Sequence, residues 1–272
     1  MHPLERLMRH HAASAVDGST ERALGILRNE VPSDTFSLMQ WSVGLGYFEQ
    51  RLSVWGLAGD TCVDFGCGTG NWTFAASRLF GRVIGVEIHR ARLRAATAIK
   101  DALGIDNVTL AVEWRPAQVS SVDCILLYNV LPYIANRIET IEALLPSLKP
   151  EGRLVVAFNE VGVCPYYLFS GMRSLRPKYI KKAFVGPKYF CASRLRGRAS
   201  FESTHGWLRT PDVMSFFTAH GFEATWTSWD ASPHSPIPPL FPGRLWGVPF
   251  FREIVFKKRS RPSSEVGHSR SA

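Results

Sequence analysis

The segment Val63-Asp64-Phe65-Gly66-Cys67-Gly68-Thr69-Gly70-Asn71-Trp72 constrains this chain more than any other. A short apolar run, Thr61 to Phe65, enters a turn with glycines at 66, 68 and 70. An amphipathic stretch follows from Asn71, with Trp72, Ala75, Ala76 and Leu79 on one helical face and Gly81 as its expected stop. Glycines at these positions permit a tight turn and let a ligand approach the backbone without a Cβ in the way. Strand, glycine turn and helix N-terminus in that order also place unpaired N–H groups where a carboxylate or phosphate is favoured.

The same alternation continues downstream. Strand-like Arg82–Glu87, a helical pattern over 89–103 closed by Gly104, strand-like Asn107–Val112 and Val122–Tyr128, and amphipathic Ile134–Leu148 come in turn. Pro150-Glu151-Gly152 then turns into a fifth strand, Arg153–Phe158. Five strands separated by helices require right-handed crossovers, which predicts an α/β chain with a Rossmann-like doubly wound sheet. The sheet is expected to be mostly parallel, with an antiparallel strand near the C-terminus. Residues 60–159 form the core of this reading. Residues 1–59 read as an N-terminal helical cap, with Ser19-Thr20 and Ser33-Asp34 as helix starts and Pro32 as a stop. Residues 160–209 read as a basic, aromatic insertion after strand five that caps the substrate. Residues 210–257 return to the core through a helix from Pro211-Asp212 to His220, a strand Phe222–Trp229 and a last strand Phe250–Phe256. The tail, 258–272, is expected to be disordered.

Apolar residues make up 46% of the 272 and charged residues 20%, enough to bury a sizeable core and to exclude disordered, collagen-like and coiled-coil classes. No stretch reads as a membrane span, since the best candidate, Leu154 to Met172, is broken by Glu160 and Pro165. The start of the chain lacks a basic region followed by an apolar one, so no secretory signal is expected. Five cysteines without a C-x-x-C pair argue against a disulfide framework or a metal site and point to a cytoplasmic protein. Between Gly171 and Thr210, ten Lys or Arg face the single acid Glu202, a surplus equal to the net +9 of the whole chain. Such a field attracts anions.

Glu87 falls at the end of the second strand, 21 residues after Gly66, where a carboxylate can accept from both hydroxyls of a ribose. The ligand therefore carries a nucleoside. A dinucleotide fingerprint would place its third glycine or alanine at 71, where this chain has Asn71. Asp64, just ahead of the turn, would repel a pyrophosphate but suits an ammonium group. S-adenosylmethionine has an ammonium, a carboxylate, a sulfonium and a ribose without phosphate, and fits these residues better than NAD. Cys62, Cys67 and Cys124 read as small buried residues rather than as nucleophiles, and Trp72 reads as packing.

Asp64-Phe65-Gly66-Cys67-Gly68-Thr69-Gly70 resembles the first motif of the class I S-adenosylmethionine-dependent methyltransferases. Val86-Glu87-Ile88 resembles the acidic second-strand motif, Asp123 to Leu131 the fourth-strand motif, and Leu148 to Leu154 the turn into the fifth strand. The resemblance implies that Asp64, Gly66, Cys67, Gly68 and Gly70 hold the methionine end of the cofactor and Glu87 its ribose. It further implies that Ile88 packs on the adenine and that Asn129 lies near the methyl group. An acid that commonly meets the adenine amino group is replaced here by Trp114, with Glu113 just before it. Either Glu113 is the acceptor after a one-residue shift, or stacking and backbone contacts hold the base.

Methyl transfer is an in-line displacement whose main demand is alignment of acceptor, methyl and sulfur. A hydroxyl or amine acceptor also needs a base. Tyr133, Glu160 and His205 are candidates by position, and His205 has the unperturbed pKa best suited to the task. The basic insertion favours a small anionic or carrier-bound metabolite as acceptor. RNA or protein is the alternative, as is peripheral contact with an anionic membrane through Tyr166 to Lys182. Against base methylation of nucleic acid, Asn129-Val130-Leu131-Pro132-Tyr133 lacks an Asn/Asp-Pro-Pro-Tyr motif. A non-catalytic cofactor-binding regulatory module is a further alternative.

Overall fold

A computed structural model describes residues 18–114, 121–159, 201, 208–227, 244–245, 248–249 and 251–259. Three helices come first: α1 (Gly18–Glu30), α2 (Thr35–Trp41) and α3 (Leu45–Val54). β1 (Gly59–Phe65), α4 (Asn71–Ala76), β2 (Phe80–Val86), α5 (Arg90–Leu103) and β3 (Val108–Ala111) follow. Next are β4 (Val122–Tyr128), a 3-10 turn at Leu131–Tyr133, α6 (Arg137–Leu144) and β5 (Leu148–Asn159). The last described elements are α7 (Thr210–Ala219), β6 (Phe222–Thr227), a two-residue ladder between Arg244–Leu245 and Val248–Pro249, and β7 (Phe251–Lys258).

Seven strands form one sheet in the order β3-β2-β1-β4-β5-β7-β6. The neighbours from β3 to β5 are parallel, whereas β7 runs antiparallel to both β5 and β6. The expected mostly parallel, Rossmann-like sheet with an antiparallel C-terminal strand is what the chain adopts. The connections run outward from β1 in one direction to β2 and β3, and in the other to β4 and β5. That reversal leaves a crevice at the C-terminal ends of β1 and β4, where α/β sheets bind ligands.

Alternation along the central strands distributes the core to two faces. Cys62, Leu126, Tyr128, Val155 and Val255 face a layer that includes Leu27, Phe48, Trp72 and Ala96, from α1, α3, α4 and α5. Val63, Ile125, Leu127, Val156 and Ile254 face Ile141 and Leu144 of α6 and Val213 and Phe217 of α7. Strands covered on both faces read as continuous apolar runs, which is why Cys124 to Leu127 shows no polar alternation.

Several boundaries differ from the sequence reading. α4 stops at Ala76, and Phe80 and Gly81 open β2 instead of closing a helix. Gly81 fits the strand because a side chain there would crowd the carbonyl of Asp60 on β1. Pro150-Glu151-Gly152 lies inside β5, where Glu151 takes a positive φ of 64° and the pairing to β4 jumps from Val122–Leu148 to Cys124–Arg153. The turn signal is spent on a bulge. Lys257 and Lys258 belong to β7, and the Lys258 ammonium donates to the carbonyls of Leu145 and Leu148.

At the N-terminal edge of the sheet, opposite the crevice, Asp123 accepts from the amides of Asp60 (3.0 Å) and Thr61 (2.9 Å) and from Lys149 (2.7 Å). Burial works to raise its pKa, but these donors outweigh it and hold the carboxyl below its usual range. β1, β4 and the start of β5 are thereby pinned together on the side away from the ligand. No helix among the described residues is long and apolar enough to cross a membrane.

Candidate cofactor site

The glycine turn is built against β2. The amides of Gly66 and Cys67 both donate to the Val86 carbonyl, at 2.8 and 2.9 Å, and Gly70 then donates to the Cys67 carbonyl at 2.9 Å. Gly66 has φ 83°, and a Cβ there would lie 2.2 Å from Val130 Cγ2. This position accepts no side chain. Gly68 also has a positive φ, 58°, yet a Cβ there would meet nothing within 4 Å. The turn is thus packed on one side and open on the other, as a ligand cradle requires.

Glu87 closes the cradle. Its Oε2 accepts from the Gly68 amide at 3.0 Å and its Oε1 accepts from the His89 amide at 2.7 Å. Each carboxylate oxygen has a second lone pair left for a donor such as a sugar hydroxyl. Ile88, directly after it, is an apolar side chain 78% exposed, and Val112 beyond β3 is also exposed. Both follow adjacent strands, β2 and β3, so exposed apolar side chains lie at the same end of the sheet as Glu87.

Asp64 sits beneath the turn instead of on its open face. It is buried, and the Thr73 hydroxyl donates to its Oδ2 at 2.6 Å. Burial raises its pKa to about 7, with the Thr73 bond opposing and the Glu87 charge adding to the shift. Cys67 is buried and its thiol is pushed well up by burial and by Asp64 and Glu87, which keeps it protonated and a poor nucleophile.

The fourth strand ends on Tyr128, and Asn129 turns the chain with φ 55° while its amide donates to the Ala157 carbonyl at 2.8 Å. Asn is among the few residues that adopt this left-handed conformation readily. The turn directs Val130 against Gly66, so the end of β4 and the glycine turn form adjoining walls. Tyr133 follows in the 3-10 turn and is 75% exposed. The structure therefore groups Gly66, Cys67, Gly68, Gly70, Glu87 and Asn129, with Asp64 underneath. Glu113 is exposed after β3, whereas Trp114 is half-buried and packs against the core on one face of the sheet. His205 and Glu160 lie outside the described residues.

Other members of the site carry no motif. Trp41 donates its indole N–H to the Thr69 hydroxyl at 3.1 Å, and Thr73 holds Asp64. Behind Asn129, Tyr128 donates to Glu253 Oε1 at 2.6 Å, and Glu253 forms a buried ion pair with Arg51 of α3. Ala157 stands between Tyr128 and Glu253 in the sheet register, and its small side chain leaves room for that bond. A Thr nine residues after the strand acid was a usable sequence signal for the Asp64 bond; the other partners are too distant in sequence to be read.

Residues 63–154 match the family model of a methyltransferase domain. A tRNA U34 carboxymethyltransferase of Desulfotalea psychrophila is 31% identical over 118 residues, which are 42% of this chain and 37% of that protein. A ubiquinone biosynthesis O-methyltransferase of Cupriavidus pinatubonensis is 24% identical over 165 residues, 60% of this chain and 59% of that protein. The chain thus spans less than two thirds of either curated relative. Among solved structures, magnesium protoporphyrin IX methyltransferase of Synechocystis PCC 6803, with SAH bound, superposes with a TM-score of 0.51 at 15% identity, covering 82% of this chain and 87% of that one. At that identity the likeness is one of fold.

Proposed function

We propose that this chain, whose residues 63–154 match a methyltransferase domain, is a class I S-adenosylmethionine-dependent methyltransferase that transfers a methyl group to a small anionic acceptor. The observation that carries the reading is the pairing of an open Gly68 with a Glu87 carboxylate anchored at both oxygens by backbone amides. When bound, S-adenosylmethionine supplies an electrophilic methyl group on a sulfonium centre that departs as a neutral thioether. The residues present suit it. Glu87 would hold the ribose diol, Ile88 would pack on the adenine, and the open face of Gly68 would receive the methionine end.

Asp64 acts through the turn, as a buried carboxyl whose charge grows when an ammonium group approaches. Asn129 and Tyr133 mark the acceptor side, beyond β4. Alignment is the principal contribution of these residues, because the leaving group needs no protonation. A hydroxyl or amine acceptor would draw its base from Tyr133, an exposed side chain after β4, or from His205.

The acceptor reading rests on the concentration of positive charge between Gly171 and Thr210, which suits a phosphate- or carboxylate-bearing metabolite. The ubiquinone-named relative is compatible with a small acceptor. A polynucleotide acceptor is the second reading, favoured by the tRNA-named relative and by interleaved aromatic and basic residues in the same segment. Labelled methyl transfer from S-adenosylmethionine into an anionic metabolite panel and into total tRNA tests both. Label in a small acid-soluble product supports the proposal, and label confined to tRNA, with turnover falling steeply in salt, replaces it.

A further inference from the structure

The cofactor turn is braced from outside the motif that defines it. Trp41, the last residue of α2, is 1% exposed and donates its indole N–H to the hydroxyl of Thr69, 3.1 Å away, a residue itself buried between Gly68 and Gly70. The indole also lies against Phe74, with ring centroids 6.0 Å apart. Phe74 in turn fills the space at Gly70, where a Cβ would come within 2.5 Å of its ring. Trp41 thus meets the turn twice, through a polar bond at its tip and through an aromatic contact at its exit.

α2 is not free to drift. Asp34 accepts from the Ser37 amide at 3.1 Å, in the manner of a helix cap, and its other oxygen accepts from Arg92 of α5 at 2.7 Å. α5 begins just after His89, whose amide is held by Glu87, and Glu87 holds Gly68. The connections close on themselves: Gly68, Glu87, His89, α5, Arg92, Asp34, α2, Trp41, Thr69 and back to Gly68. Both ends of the ligand cradle, the turn and the ribose carboxylate, belong to this circuit.

We propose that Trp41 is a positioning residue for the cofactor, which fixes the open face of the glycine turn through Thr69 and so couples the N-terminal helices to cofactor affinity. Without the indole donor the Thr69 hydroxyl loses its buried partner and the turn gains freedom that ligand binding must then remove. Nothing touches the ligand directly in this role, so the effect falls on affinity. The inference rests on the reading of the turn as the S-adenosylmethionine site.

The test is calorimetric titration of the full chain with S-adenosylhomocysteine, comparing wild type, Trp41→Phe, Thr69→Val and the double variant, alongside their melting temperatures. Trp41→Phe keeps a ring against Phe74 and removes the donor; Thr69→Val removes the acceptor at nearly constant volume. Each single change is expected to weaken binding about tenfold, the size of one buried hydrogen bond. The double variant is expected to be no weaker than either single one, because both delete the same bond. Singles within twofold of wild type, or losses that multiply in the double variant, overturn the inference. If Trp41→Phe does not fold, Thr69→Val alone decides by the same twofold criterion. Wild-type protein without any binding heat would instead overturn the site reading itself, a result distinct from equal binding by wild type and variants.

Discussion

Gly68 and Glu87 are joined directly: the amide of the glycine donates to Oε2 of the carboxylate over 3.0 Å. The bond links the middle of the glycine turn to the end of the next strand and fixes the spacing between the two elements that the proposed ligand would bridge. The second carboxylate oxygen is fixed by His89, so the group enters binding already oriented. Preorganisation of this kind lowers the entropy lost on association.

Glu87→Ala is expected to weaken S-adenosylhomocysteine binding by about 100-fold or more, because the two charge-assisted hydrogen bonds proposed to the ribose would be lost and each contributes roughly 1.5–3 kcal/mol. Glu87→Gln keeps one acceptor oxygen and should fall between that variant and wild type. Equilibrium dialysis with labelled ligand gives both values. Full affinity in Glu87→Ala would remove the carboxylate from the site.

Two glycines in one turn should fail in different ways. Gly66→Ala forces a Cβ to 2.2 Å from Val130 in a left-handed conformation, so it is expected to lower folding stability by about 2 kcal/mol or more. Gly68→Ala has the same backbone penalty, about 1 kcal/mol, but no clash. Its Cβ enters the open cradle, and ligand affinity should drop more than tenfold while stability falls by no more than that backbone penalty. Urea denaturation and ligand titration of the two variants separate these outcomes.

Asp64 gives the ligand-free protein a distinctive pH response. Burial raises its folded pKa to about 7, whereas an unfolded aspartate titrates near 4. Between those values the folded chain binds the extra proton, so this group's contribution to stability declines as pH rises from about 4 to about 7 and levels off above. Asp64→Asn mimics the protonated form and should flatten that part of the profile. Melting temperatures of wild type and variant across pH 5 to 8 check the sign; a wild-type contribution that grows over this range contradicts it.

The pair Arg51–Glu253 should behave as a buried ion pair does. Arg51→Met or Glu253→Leu alone leaves a buried charge without its partner and is expected to cost about 3–5 kcal/mol. The double replacement removes both charges and should cost clearly less than the two single losses together. Tyr128→Phe, which deletes the hydroxyl donor to Glu253, should cost about 1–2 kcal/mol. Denaturant midpoints across the set provide the cycle.

Much of this arrangement was legible in the chain because its signals are local. The glycine turn, the acid at the end of the second strand and the alternation of apolar periods each depend on residues within one supersecondary unit. Ser33-Asp34 announced α2, and Asp34 does cap it. Pro150-Glu151-Gly152 misled because the same residues serve a turn or a bulge, and only the register with β4 decides between them. Trp41 with Thr69, 28 positions apart, and Arg51 with Glu253, 202 apart, were not legible, since their partners are set by the packing of whole helices on the sheet. Trp114, read as a neighbour of the adenine by its place after β3, is half-buried and packs against the core on that side of the sheet.

Calorimetric titration of the purified full chain with S-adenosylmethionine and, separately, with NAD tests the identity of the cofactor most directly. Saturable heat at one site per chain for S-adenosylmethionine, with none for NAD, is the predicted result. A clear isotherm for NAD with no heat for S-adenosylmethionine would contradict it.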